Sequence, residues 1–187
     1  VVTIGLSHRT APVELREKFA VASDELAATF EALRDSRVSE EMVILSTCNR
    51  VEFYALVRAD DGGKGILDYL ASTRGVRSRK LRKHSYQLQG EDAVKHIFRV
   101  AASLDSMVVG EPQILGQFKD AFAAADQHRA VGGVLRRLMR RTLTVAKRGR
   151  TETRIGQAPD SMCRAGVELA RQVFGDLDGR AALMIGA

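Results

Sequence analysis

The stretch Glu41-Met42-Val43-Ile44-Leu45-Ser46-Thr47-Cys48-Asn49-Arg50-Val51-Glu52-Phe53-Tyr54 organises the chain. An apolar run from Met42 to Leu45 stops at four polar residues, and a second β-rich run from Val51 to Val57 follows. Two such runs about a short polar connection predict a hairpin or tight strand pair. Cys48 then falls at the tip, on the end of a buried strand, with Arg50 two residues on. A thiol placed there is partly exposed, and a neighbouring guanidinium favours the thiolate, the nucleophilic form. A free cysteine is as a rule a small buried hydrophobe, yet Thr47, Asn49 and Arg50 are poor core neighbours. Taken alone, these residues leave both readings of Cys48 open.

The surrounding chain bounds the answer. Its 187 residues, 45% hydrophobic and 28% charged, suit one to one-and-a-half globular domains with a real core. Two distant cysteines, Cys48 and Cys163, make no disulfide framework and point to a reducing, cytoplasmic setting. The four histidines are scattered without metal-ligand spacing, so no metal is expected. No apolar run approaches the roughly 18 residues of a membrane span, and no signal peptide is legible. The first residue is Val rather than Met, which implies a start further upstream. A net charge of +6 and a pI near 9.7 suit a polyanionic partner, as they suit many other proteins.

Before the hairpin, Val1 to Leu6 predicts a strand ending in Ser7-His8-Arg9. Thr10 is expected to cap a helix that takes Pro12 in its first turn and runs to about Phe19. Ser23 is expected to cap a second helix, with Leu26, Phe30 and Leu33 at helical spacing. After it, Asp60-Asp61-Gly62-Gly63 reads as a loop, and Ile66, Leu67 and Leu70 mark a short helix ended by Gly75. Lys80, Arg82, Lys83 and His84 form a basic cluster ahead of a fourth strand, Ser85 to Gln89. This order predicts an α+β sandwich of the βαββαβ kind, helices packed on a mainly antiparallel sheet.

From Glu91 the pattern turns helical. Ala93, Val94, Ile97, Ala101 and Leu104 share a face, with His96 at its margin, where a hydrogen-bonded boundary residue is the commoner outcome. Gly110 followed by Pro112 marks a break and a fresh helix start, and Gln113 and Gln117 then point the same way. Val131 to Arg150 carries Arg136, Arg137, Arg140, Arg141, Lys147, Arg148 and Arg150 with no acidic residue. Such a run is either a solvated face or a contact with nucleic-acid phosphates, which would offset the repulsion between like charges. Gln157 to Phe174 predicts another helix, Gly175 and Gly179 bound a turn, and Ala181 to Ala187 reads as a buried strand entering a glycine. A dinucleotide-binding Rossmann unit begins in that way.

Three motifs together resemble the glutamyl-tRNA reductase family: Gly5-Leu6-Ser7-His8-Arg9-Thr10-Ala11-Pro12-Val13, Leu45-Ser46-Thr47-Cys48-Asn49-Arg50, and the stretch from Asp105 to Gln117. Ala146-Lys147-Arg148-Gly149-Arg150-Thr151-Glu152-Thr153 extends the resemblance, which spans essentially the whole chain in order. The resemblance implies an enzyme of tetrapyrrole synthesis that reduces glutamyl-tRNA(Glu) with NADPH to glutamate-1-semialdehyde through a cysteine thioester. It implies a catalytic domain over 1–155 and the start of an NADPH-binding Rossmann domain, cut short, over 156–187. By the same resemblance Cys48 is the nucleophile and His96 a residue important for activity. Thr47, Asn49 and Arg50 form one side of the substrate pocket, and Ser106, Glu111, Pro112, Gln113 and Gln117 the other. Gly186 and Ala187 are the first cofactor-binding residues. A cytoplasmic homodimer is implied, as is glutamate-1-semialdehyde aminomutase as a further partner.

Arg50 suits a bidentate hold on a substrate carboxylate that Lys could not reproduce. Two departures from the family pattern stand out. Ser103 replaces a glycine expected before Leu104-Asp105-Ser106, adding a side chain inside a helix. Ala158-Pro159-Asp160-Ser161-Met162-Cys163-Arg164 replaces small and β-branched residues, with Asp160 and Arg164 spaced to pair. The alternatives are an RNA-binding module with an inert Cys48, or an acyl-transfer protein using the same thiol without reduction.

Overall fold

A computed structural model describes residues 1–58, 62–157, 162–181 and 183. Strand β1 (Val2–Ser7) leads into helices α1 (Val13–Phe19) and α2 (Leu26–Asp35), and the hairpin β2 (Glu41–Ser46) and β3 (Arg50–Leu56) follows. Helices α3 (Lys64–Thr73) and α4 (Ser78–His84) then return the chain to β4 (Tyr86–Gln89). The remainder is helical: α5 (Gly90–Ala101), α6 (Gln113–Gln127), α7 (Gly133–Glu152), a 3-10 turn (Arg154–Gln157) and α8 (Met162–Phe174). The four strands pair antiparallel in the order β2-β3-β1-β4, so the expected βαββαβ sandwich is the architecture found.

Alternation along the strands sorts the side chains into two layers. Residues opposite one another in an antiparallel pair share a face, and the register sets Val2, Ile4 and Leu6 against Ala55, Phe53 and Val51, with Met42 and Ile44 beyond. These side chains are all apolar and buried, and the face turns polar only at its margins, at Ser46 opposite Val51 and at Gln87 and Gln89 of the edge strand β4. Gly63, at the head of α3, lies against the side chains of Ile4 and Val2, which places α3 on this layer. Leu15, Phe19, Phe30, Leu33, Ile66, Leu67, Leu70 and Leu81 belong to the same buried core.

The opposite face is different in kind. Gly5 faces Glu52, Ser7 faces Arg50 and Thr3 faces Tyr54, and α5, α6 and α7 cover it, with Tyr54 packed on Phe118 of α6 at 5.8 Å between ring centroids. Glu41 at the start of β2 takes the backbone N–H groups of Val134 at 3.1 Å and Leu135 at 2.6 Å, so a strand carboxylate caps α7. A Cβ on Gly132 would meet the Glu41 carboxylate at 2.5 Å, which is why the chain enters α7 through glycine.

Several local expectations are corrected. Thr10 does not cap α1: its Oγ1 accepts from the Ser7 N–H at 3.1 Å, and Pro12 holds the cap position. Glu25, not Ser23, stands at the head of α2. The basic cluster is itself helix α4, where Arg82 pairs with Asp68 and His84 Nδ1 lies 2.9 Å from the Thr10 carbonyl. On α5 the buried stripe is Ala93, Ile97, Val100 and Ala101, while Leu104 lies beyond the helix and is 43% exposed. Ser103 is not inside a helix but just past α5, with φ of 61°. The Ser103 N–H donates to Val100 and the Leu104 N–H to Arg99, closing a Schellman motif whose left-handed residue is normally glycine. The stretch 158–161, with Pro159 and Asp160, lies outside the described residues, as do the side chains of Cys163 and Arg164. In the expected last strand, Ala181 and Leu183 belong to no strand and are exposed; Ala182 and 184–187, including Gly186 and Ala187, lie outside the description.

Candidate active site

The two-residue connection Cys48-Asn49 is closed by Thr47. Its N–H donates to the Arg50 carbonyl at 2.8 Å, and its hydroxyl accepts from the N–H groups of Asn49 at 3.2 Å and Arg50 at 3.1 Å. A side-chain oxygen thus replaces the backbone carbonyl that would ordinarily close such a turn. The His8 N–H holds the Asn49 carbonyl at 2.8 Å, and Arg16 Nε holds the Cys48 carbonyl at 3.3 Å. The backbone beneath the sulfur is therefore braced from β1, from α1 and from within the turn, while Cys48 itself is exposed.

Behind the turn, β3 directs Arg50, Glu52 and Tyr54 to the helix-covered polar face. Glu52 is fully buried and accepts four donors: Arg50 Nη1 at 2.6 Å, the Tyr54 hydroxyl at 2.6 Å, the Tyr86 hydroxyl at 2.6 Å and His96 Nε2 at 3.1 Å. Burial alone would raise its pKa. The His96 hydrogen bond, the charges of Arg50 and His96 and the Tyr54 hydrogen bond outweigh burial and hold it at about 2. An ionised carboxylate has no proton to give, so Nε2 of His96 carries the hydrogen and Nδ1 is left as the other ring atom. Burial, then the Glu52 charge, pushes the Tyr54 and Tyr86 hydroxyls up, keeping both as donors.

Arg50 departs from the expected substrate grip. Its side chain is 2% exposed, and besides Glu52 it holds the Asp105 carbonyl at 2.5 Å and the Asp105 carboxylate at 3.2 Å. Burial opposes its charge, but Glu52 raises the guanidinium pKa above its ordinary value. A guanidinium matched by two carboxylates exerts little net pull on a neighbouring thiol, and a bidentate hold on a further carboxylate requires Asp105 to move. Asp105 also pairs with Arg9 at 2.9 Å, which ties the loop between α5 and α6 to the end of β1.

The remaining expected residues lie on that loop and on α6. Ser106 is buried and Glu111 half-buried; Pro112, Gln113 and Gln117 are exposed. Gln117 lines a cleft of about 450 Å3 between α2, β2 and α6, shared with Ser46, Asp120, Gln127 and His128. Thr47, Asn49, Arg50 and His96 are linked, directly or through Glu52, in one hydrogen-bond network behind the turn that carries Cys48, whereas among the described residues Ser106, Gln113 and Gln117 take part in none of its hydrogen bonds. Missed from the sequence were Glu52, Tyr54, Tyr86, Asp105, Arg9 and His8. His8 has a buried Nδ1 without a partner among the described residues, and burial, Arg50 and Arg9 lower its pKa. One signal was legible: a charged Glu52 inside the run Val51 to Tyr54 has to be a paired buried ion.

Elsewhere the basic helix divides. Arg136 pairs with Asp126 at 2.6 Å and Arg148 with Glu152 at 2.8 Å, while Arg150 turns inward. Arg137, Arg140, Arg141 and Lys147 are exposed, with no ion-pair partner among the described residues. Among the described residues no cluster suits a metal ion, and no helix is long and apolar enough to cross a membrane.

Residues 4–153 match the family described as glutamyl-tRNAGlu reductase, N-terminal domain. The whole chain is 48% identical to glutamyl-tRNA reductase from Marinobacter nauticus and 47% identical to that from Citrifermentans bemidjiense, covering 43% of each. The solved glutamyl-tRNA reductase of Methanopyrus kandleri superimposes with a TM-score of 0.73 at 35% identity, over 93% of this chain and 40% of that one. The chain thus spans under half the length of these relatives. With family match, sequence identity and fold in agreement, the chain belongs to the glutamyl-tRNA reductase family, residues 4–153 matching its N-terminal domain.

Proposed function

We propose that this chain accepts the glutamyl group of glutamyl-tRNA on Cys48, as the first half of an NADPH-dependent reduction to glutamate-1-semialdehyde in tetrapyrrole synthesis. The supporting observation is an exposed thiol on a turn braced from three sides, backed by a buried ion network. The Cys48 thiolate adds to the ester carbonyl carbon, the bond to the ribose oxygen breaks, and that oxygen takes up a proton. When bound, NADPH supplies the hydride that converts the thioester to aldehyde and free thiol. The residues expected to begin its site, Gly186 and Ala187, lie outside the described residues, and the groups about Cys48 carry acyl transfer alone.

His96, fixed by Glu52, and the Thr47 turn position the reacting groups; Ser106 and Gln117 border the space a glutamyl group would enter. Arg50 serves this reading by holding Asp105 and the loop, and it meets substrate only if the substrate carboxylate displaces Asp105. The tRNA phosphates fit the four exposed cations of α7. On this reading the catalytic unit ends near 155, just past α7, and the cofactor unit begins at 156; a homodimer and a cytoplasmic setting follow the same reading.

Those four cations equally favour a plain RNA-binding module, and Cys48 separates the two. With labelled glutamyl-tRNA, a glutamyl adduct should form on Cys48, disappear in Cys48→Ser, and be blocked by prior iodoacetamide treatment. An adduct persisting in Cys48→Ser overturns the assignment. Tight tRNA binding with no adduct, in protein whose Cys48 alkylates normally, establishes the binding module instead.

A further inference from the structure

Arg150 belongs by sequence to the basic row of α7, but its side chain turns to the loop between α5 and α6. Its Nη1 donates to the Glu111 carbonyl at 3.0 Å and reaches Ser103 Oγ at 3.5 Å. Ser103 and Glu111 are the two ends of that loop. The Ser103 hydroxyl donates to the same Glu111 carbonyl at 2.7 Å, and the Gly110 N–H donates to the Ser103 carbonyl at 3.1 Å. Both flanks are left-handed, Ser103 at φ 61° and Gly110 at φ 88°, a conformation that glycine takes freely and serine does not, so the neck is a narrow closure with its strain at Ser103. Arg150 supplies the bond that comes from outside the loop.

The other anchor of the loop is Asp105, which receives Arg50 and Arg9. Among the described residues no carboxylate pairs with Arg150, so its charge is spent on the loop neck as a charge-assisted hydrogen bond. Resting on the reading of Cys48 as glutamyl acceptor, we infer that Arg150 is a positioning residue: it fixes the neck at 103–111 so that Asp105 pins Arg50 behind the Cys48 turn. One helix then carries exposed cations for the polyanion and the brace for the reacting site.

The test compares Arg150→Met, Arg150→Lys and Arg137→Met in the purified protein. It measures tRNA affinity with its salt dependence, the single-turnover rate of Cys48 acylation at saturating glutamyl-tRNA, and hydrogen exchange of the Gly110 amide. Arg150→Met should slow saturating acylation by about tenfold or more and speed Gly110 exchange, with tRNA affinity changed by less than about twofold. Arg150→Lys should restore part of the rate, and Arg137→Met, which removes one of the exposed cations, should weaken tRNA binding and lower its salt dependence. If Arg150→Met does not fold, Arg150→Gln, which keeps one neutral donor, should fall between Lys and a tenfold loss. Acylation unaltered by these changes, or a loss of affinity like that of Arg137→Met, overturns the inference. A parent protein that never acylates Cys48 overturns the functional reading instead.

Discussion

Glu52 shows how much one buried carboxylate can organise. Four donors from β3, β4 and α5 meet on its two oxygens. They can do so because Gly5, its neighbour across the sheet, has no side chain. A Cβ there would lie 2.7 Å from the Tyr86 ring and hydroxyl and 2.8 Å from Glu52 Cγ. Replacing Glu52 by Gln keeps the shape and removes the charge, leaving Arg50 buried with Asp105 as its remaining counter-charge. The expected loss is about 3 kcal/mol of folding stability, because a buried ion deprived of its partner keeps its desolvation cost. Urea unfolding at neutral pH measures it; a change below about 1 kcal/mol would show that Arg50 is neutralised without Glu52. Ser103 works in the opposite sense. Its left-handed backbone costs about 1 kcal/mol, and the hydroxyl bond to Glu111 offsets a similar amount, so the serine is tolerated where glycine is expected.

At the scale of elements, α7 depends on a residue 93 positions before the N–H it binds. Helices leave their first N–H groups without partners, and a residue within a few positions usually supplies the cap. Here Gly132 offers no side chain, and Glu41 of β2 supplies a carboxylate to Val134 and Leu135. The negative charge also suits the positive end of a long helix whose own sequence is strongly basic. Glu41→Ala should therefore destabilise by about 1–2 kcal/mol, and Glu41→Gln by less, since an amide oxygen can still accept. Chemical denaturation gives the size. Faster amide exchange confined to the first turn of α7 identifies the cause, and unchanged exchange there would sink it.

For the whole molecule, the buried network makes stability depend on pH on the acid side. The folded Glu52 carboxyl titrates at about 2 against an ordinary value of 4.5. Its contribution is complete above pH 4.5 and is lost as pH falls toward 2, worth about 3 kcal/mol in all. Unfolding free energy measured from pH 5 to pH 2.5 should fall with a slope that Glu52→Gln largely removes. The same steep slope in Glu52→Gln would assign acid sensitivity to other carboxylates. The alkaline side runs the other way: the Tyr54 and Tyr86 hydroxyls are pushed up, so their contribution persists to about pH 10 and fades above it.

Local periodicity determined the strands, most helices and the exposed tip at Cys48, because alternation and helical spacing are properties of neighbouring residues. The motifs about Cys48 and Asp105 likewise sufficed for the family. Tertiary structure alone decided the partners. Arg50 reads in sequence as a free cation beside a thiol, and only sheet register and the α5–α6 loop show it buried between Glu52 and Asp105. Seven basic residues read as one row on α7, yet packing pairs Arg136 with Asp126 of α6 and turns Arg150 inward. Ion pairs and caps join residues distant in sequence, 55 positions for Arg50 and Asp105. Their pairing follows from the folded path of the backbone, which no local pattern encodes.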